Sequence, residues 1–121
     1  MTTNLKTLSD KYNTDKNTKI GTFTFTSNCT GSVVSYQIGR VAILNISAWS
    51  YTSDATLETT LTMGITSLKP GMPVTFSIIR AGKGLVALGS IDMNGSVTVR
   101  MLGNQGYNAN EDLCGQAIYF I

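Results

Sequence analysis

Tryptophan occurs once in this chain, at Trp49, with Tyr51 two residues on. A third ring, Tyr107, lies in the stretch GNQGYNANED (Gly103–Asp112). Around Tyr107 stand Gln105, Asn108, Asn110, Glu111 and Asp112. Rings beside amides and carboxylates have the composition of a sugar site. The ring stacks on an apolar C–H face, and planar polar groups take paired hydroxyls. Trp49, Tyr51, Gln105, Tyr107, Asn108, Asn110, Glu111 and Asp112 are therefore the candidate ligand-binding residues. The competing reading makes Trp49 a core or interface residue and the Asn/Gly-rich stretch a plain loop. Long loops in compact domains lean toward function, which keeps the binding reading open.

Catalysis has little to work with. There is no histidine, which removes Ser-His-Asp and Cys-His nucleophilic chemistry and the commonest zinc ligand. Cys29 and Cys114 are too few and too far apart in sequence to make a zinc site alone. Glu111-Asp112 is the one adjacent carboxylate pair, and Asp54 and Glu58 flank another polar stretch. A glycosidase needs two carboxylates facing across a cleft, and no pattern here places such a pair. AGKG (Ala81–Gly84) lacks the spacing of a phosphate-binding loop and precedes a strand pattern, so it reads as a hairpin turn. The sequence thus predicts no enzyme, no cofactor and no metal.

The elements that must position these residues follow from composition and period. At 121 residues a single domain is expected. Charged residues make up 13%, about half the usual share. Thr, Ser, Asn and Gly take their place, as in all-β modules. The net charge of +2 sits in the first nineteen residues, where Lys6, Lys11, Lys16 and Lys19 oppose only Asp10 and Asp15. From Ile20 onward basic and acidic residues balance, so no basic stripe exists to neutralise nucleic-acid phosphates. The sequence holds no apolar run long enough to span a membrane and no hydrophobic leader. Cys29 and Cys114 then read as free thiols of a protein made in a reducing cytoplasm. A disulfide stays open if the first and last strands are neighbours. The N-x-S/T triplets at Asn28, Asn45 and Asn94 are expected by chance in so Thr/Ser/Asn-rich a chain.

Residues 1–19 form a polar N-terminal arm. Leu5, Leu8 and Tyr12 fall on one helical stripe, either a frayed end or the last turns of a coiled-coil neck. From residue 20 the period is two. TFTFTS (Thr22–Ser27 begins with Phe23 and Phe25 alternating), SVVSYQI (Ser32–Ile38) and VAILNISAW (Val41–Trp49) read as strands, with a tight turn at Gly39-Arg40. Strict alternation in the last of these sets Ala42, Leu44, Ile46 and Ala48 on one face and Val41, Ile43 and Trp49 on the other. TLTMGI, VTFSII, LVALGSI, SVTVRML and AIYFI (Ala117–Ile121) follow as strands, with Asn94-Gly95 as a hairpin signal. Both prolines, Pro70 and Pro73, lie in SLKPGMPVTFSIIR, where they set a turn that feeds a strand. About eight strands with no room for crossover helices predict an all-β, antiparallel two-sheet sandwich over residues 20–121, jelly-roll-like. An apolar strand at the chain's end hints at an oligomer.

Taken in order, YQIGRVAILNISAW, LKPGMPVTFSI, LGSIDMNGSVTVRM and AIYFI resemble the C-terminal head domains of bacteriophage tail fibres and baseplate receptor-binding proteins. The resemblance runs from Tyr36 to Ile121. Met72 departs from it, since an aromatic residue or Arg often precedes the second proline of that family's turn. The resemblance implies a homotrimeric β-sandwich head on a fibrous neck. It also implies a virion protein, made in the bacterial cytoplasm, that attaches to host-cell polysaccharide without catalysis and joins other tail proteins through its N-terminal side. A purely structural trimeric virion protein and a cellular carbohydrate-binding module are the alternatives.

Overall fold

The computed structural model describes residues 18–55, 59–80, 84–103 and 106–121. Leu5, Leu8 and Tyr12 of the arm, the Ala81–Lys83 part of the AGKG turn, and Gln105 lie outside the described residues. Among those described there is no helix, and nine strands run in chain order. They are β1 (Thr18–Ile20), β2 (Phe23–Phe25), β3 (Cys29–Ile38), β4 (Val41–Tyr51), β5 (Thr60–Thr66), β6 (Val74–Arg80), β7 (Gly84–Ile91), β8 (Ser96–Met101) and β9 (Leu113–Phe120). Eight overlap the alternating segments, with β3 beginning at Cys29 rather than Ser32 and β9 at Leu113 rather than Ala117. The ninth, β1, starts two residues before the expected boundary at Ile20 and pairs with β3, with Thr18 opposite Ile38 and Ile20 opposite Tyr36.

All pairings are antiparallel, and the strands join into one sheet in the order β1-β3-β4-β9-β6-β7-β8-β5-β2. The sheet curls into a half-barrel. Its two edge strands, β1 and β2, are consecutive in the chain and separated only by Gly21 and Thr22. Gly21 N–H donates to Ser35 of β3, and Ser67 N–H, just past β5, donates to Thr22. The Ser35 and Thr66 hydroxyls meet in the interior at 3.2 Å, tying β3 to the end of β5. The curled sheet therefore has two walls around one interior. One is β1-β3-β4-β9 and the other is β6-β7-β8-β5-β2, and β6 and β9 connect them through Ile78–Gly115, Ile79–Cys114 and Arg80–Leu113.

The core fills the space between the walls. Ala42, Leu44 and Ile46 point in from β4, Ala117 and Tyr119 from β9, Ile78 from β6, and Val97, Val99 and Met101 from β8; all are buried. This is the period-two pattern acting as written: β-branched and aliphatic side chains at every second position form one continuous apolar surface. The buried Tyr119 hydroxyl donates to the Leu68 carbonyl at 2.6 Å, which anchors the segment before Pro70. Gly71 N–H then donates to Phe120 at 3.1 Å. The proline turn is pinned to the last strand before β6 begins at Val74, directly after Pro73.

Hairpin chemistry is local. Gly39-Arg40 is a two-residue loop between Ile38 and its partner Val41. At the other hairpin, Asp92 pairs with Ser96 around Met93, Asn94 and Gly95. Gly95 is the residue at positive φ there (88°), not Asn94, so Asn-Gly closes a three-residue loop. The Asp92 carboxylate accepts from the Asn94 and Ser96 amides at 2.9 and 3.0 Å, which fixes that loop.

Candidate functional site

The described candidate residues gather at one end of the curled sheet, where the ends of β4 and β6, the start of β9 and the segment 106–112 meet. β4 reaches this end with its parity reversed. Val33 is opposite Ile46 and Ser32 is opposite Ala48, so Ser47 is one residue too many against β3. The β4–β9 register shifts over the same stretch, from Ile46–Gly115 to Trp49–Leu113. This is a β-bulge, and beyond it alternate residues change sides. Trp49, which strict alternation turns away from Leu44 and Ile46, therefore enters the core. Opposite it, Gly31 (φ 153°) brings the β3 backbone so close that a Cβ would strike the Ala48 carbonyl. That glycine is the local sequence feature permitting the inward turn.

Trp49 is 0% exposed and Tyr107 is 1% exposed. Neither offers a ring face to a sugar, so the sugar-platform expectation for these two residues is corrected: they are core. Tyr51 stacks on Trp49 at 6.5 Å with planes 4° apart, and Tyr107 tilts against it at 5.7 Å. Tyr51 is half-buried. The Trp49 Nε1 is buried without a hydrogen-bond acceptor among the described residues. Its neighbour is Cys29, whose thiol burial pushes up, with the Trp49 side chain opposing.

Tyr107 holds this end of the fold together. Its hydroxyl accepts from the Tyr51 amide at 2.7 Å and donates to the Glu111 carbonyl at 2.6 Å. Its backbone exchanges two hydrogen bonds with Ala55, at 2.8 and 3.0 Å. Burial pushes the Tyr107 phenol above its ordinary range; the Tyr51 backbone opposes this, and the negative groups Glu111 and Asp112 add to it. A phenol so placed stays neutral and serves as a hydrogen-bonding strut.

Asn108 to Glu111 form a tight turn. The Glu111 amide donates to Asn108 at 3.1 Å and the Asn110 amide donates to Tyr51 at 2.7 Å. Asn110 takes the left-handed conformation (φ 65°), which Asn tolerates. The Glu111 carboxylate accepts from the Asn108 amide at 3.1 Å, and Asp54 accepts from the Ala109 amide at 2.7 Å. Glu111 also faces Arg80, with Nε and Oε2 3.1 Å apart but without hydrogen-bond alignment at Nε. Arg80 is 7% exposed and donates through its second terminal nitrogen to the Gly106 carbonyl at 2.8 Å.

Arg80 and Asp54 complete this cluster, and neither is among the candidates read from the sequence. The signal for Arg80 was present: continuing Phe76 and Ile78 by two places a cation inside, where it needs a partner. Of the candidates, Asn108, Asn110 and Asp112 are exposed and Glu111 is half-buried. Their amides and carboxylates form a polar rim over an aromatic interior.

Comparison with family models, curated proteins and solved structures finds no match for this chain. Among the described residues no group of His, Cys, Asp and Glu could hold a metal ion. No helix there is long and apolar enough to cross a membrane. Cys29 and Cys114 are both free, and β4 lies between their strands.

Proposed function

We propose that this chain is the head of a phage tail fibre or baseplate receptor-binding protein, a homotrimer that attaches to bacterial surface saccharide without catalysis. The observation that carries the reading is the order of elements from Tyr36 to Ile121. The Gly39-Arg40 hairpin, the Pro70–Pro73 turn opening β6, the Asn94-Gly95 hairpin and the aromatic last strand occur in that order in sequence and as strands and turns. The proposal includes a jelly-roll-like sandwich, with the two walls as its sheets. The brevity of the β6–β9 junction favours that division. Sugar recognition is assigned to the polar rim, Asn108, Asn110, Glu111 and Asp112, beside the half-buried ring of Tyr51.

The protein then belongs to the virion, on the tail, after synthesis in the host cytoplasm. Its test is retention of labelled protein on a panel of bacterial cells and purified wall polysaccharides. Saturable retention that falls at least tenfold in Asn108→Ala/Asp112→Ala, with the fold intact, is expected. Retention unaffected by that double substitution removes the rim as the site. A folded oligomer that no cell or polysaccharide retains leaves the structural virion role, which the apolar outer face described below favours.

A further inference from the structure

The outside of the β1-β3-β4-β9 wall is uncharged and largely apolar. Registers place Ile20, Tyr36, Ile43 and Ile118 in one row across the four strands, and Thr18, Ile38, Val41 and Phe120 in the next. Val34, Asn45 and Gln116 make a third, on the same parity. No residue in these rows carries a charge. Ile20 is 82% exposed, Phe120 74% and Ile118 63%. At the end of β9 the face runs into a groove of about 330 Å³ between that strand and the proline turn, walled by Met72, Pro73, Ile118 and Phe120.

We propose that this face is covered by a second copy of the same chain, with the groove receiving an apolar side chain of the neighbour. Three observations select that occupant. The first is size. The exposed fractions of Ile20, Val34, Ile38, Met72, Ile118, Phe120 and Ile121 equal about four free large apolar side chains, on the order of 700 Å². That exceeds the largest patch of an ordinary monomer and approaches the ~800 Å² per partner of a standard interface. The second is charge. A partner of opposite charge has nothing to pair with here, whereas uncharged rows are the composition of an interface core and match themselves. The third is the other wall. One of its outer rows is Thr75, Ser90, Thr98 and Thr62, and the next sets Leu88 between Ser77 and Arg100. Ile79 and Leu85 pair as exposed aliphatics beyond them, so hydroxyls and a charge interrupt the apolar residues of this wall where no charge interrupts those of the first.

The inference names the surface of the trimer in the preceding reading and stands without its phage or saccharide parts. Light scattering and sedimentation of the full chain test it, from low to high micromolar concentration. Wild type is expected at a multiple of the 13.0 kDa chain mass. Phe120→Glu and, separately, Ile20→Glu are expected to weaken association at least about 30-fold, as hot-spot residues do. Near-ultraviolet circular dichroism should show both variants folded, and Thr75→Glu on the other wall should associate as wild type does.

A wild type that stays monomeric throughout overturns the interface and the trimer together. A stable oligomer indifferent to both glutamates overturns the interface alone. A monomer that oligomerises only after removal of residues 1–17 assigns the face to the chain's own arm and overturns the second copy. Failure of cell retention in a protein whose association responds as expected sinks the attachment reading and leaves this one intact.

Discussion

The two walls of the curled sheet share an interior and differ outside. On the inner side both follow one pattern, aliphatic and aromatic residues at alternate positions, with Ser35, Thr66 and Arg80 as buried polar exceptions. On the outer side β1, β3, β4 and β9 carry mostly Ile, Val, Tyr and Phe, with Thr18, Asn45 and Gln116 as the uncharged polar members, while β6, β7, β8 and β5 mix Thr, Ser and Arg100 with the exposed Ile79, Leu85 and Leu88. Ser90 and Thr98 even pair their hydroxyls across strands at 3.0 Å. Both residue sets suit a pleated sheet, since β-branched side chains of either polarity favour strands. The difference therefore lies in what each outer face meets. Period alone fixes which residues share a face; polarity reports the surroundings of that face.

The largest effect tests the point where inside and outside exchange. Trp49→Ala is expected to destabilise the domain by about 3–5 kcal/mol, the cost of emptying a core aromatic site, measured by urea unfolding. Loss of cell retention with stability nearly unchanged would restore Trp49 as an exposed platform and undo the assignment of inner and outer faces past Ser47.

Next comes the end of the β6 wall, where a cation lies inside. Glu111→Ala leaves the Arg80 guanidinium with the Gly106 carbonyl and no anion. A cost of roughly 1–3 kcal/mol is expected, with Glu111→Gln losing less because its side-chain oxygen can still accept the Asn108 amide. If Glu111→Ala is neutral in chemical denaturation, the pair with Arg80 contributes no net stability and the rim is set by Tyr107 alone.

The interior shared by both walls should also fail at high pH. Burial raises the Tyr107 and Tyr119 phenols above 10.0 and the Cys29 thiol above 9.0. In each case the unfolded chain ionises first, so above those values the folded state holds more protons. Stability is then complete below about pH 9 and falls as pH rises, by up to ~1.4 kcal/mol per pH unit for each group. Urea midpoints from pH 8 to 11 check this. A flat profile above pH 10 would mean that the phenols ionise in place, and so are not enclosed.

Much of this was legible in sequence. Alternation in VAILNISAW, VTFSII and SVTVRML gave strands and inward residues, and the Gly39-Arg40, Asn94-Gly95 and Pro70–Pro73 signals gave the turns. What escaped the reading was one extra residue. Ser47 leaves no mark on composition, yet it reverses the parity of everything after it, so Trp49 was set on the wrong side. Tyr107 is core for a related reason. A polar neighbourhood suggested an exposed ring, but its hydroxyl is satisfied by the Tyr51 and Glu111 backbone, a pairing distant in sequence. The β1 strand was hidden because three residues carry no measurable period.

The smallest effect is the most informative about the outer faces. Thr98→Val and Ile118→Thr exchange polarity in opposite directions, one on each wall. Thr98→Val forfeits the bond with Ser90 and should cost about 0.2–1 kcal/mol, as cross-strand pairs do. That cost should not depend on protein concentration. Ile118 is 63% exposed, so in an isolated chain its replacement by Thr should change stability by no more than about 0.5 kcal/mol. In an assembled one, the apolar wall is buried by a neighbour. The substitution then lowers the unfolding midpoint at high protein concentration and ceases to matter on dilution, because association stabilises by mass action. Thermal unfolding of both variants over a hundredfold concentration range separates the cases. Equal, concentration-independent responses from the two walls would mean that both face only water, and that the apolar rows of β3, β4 and β9 reflect strand propensity alone.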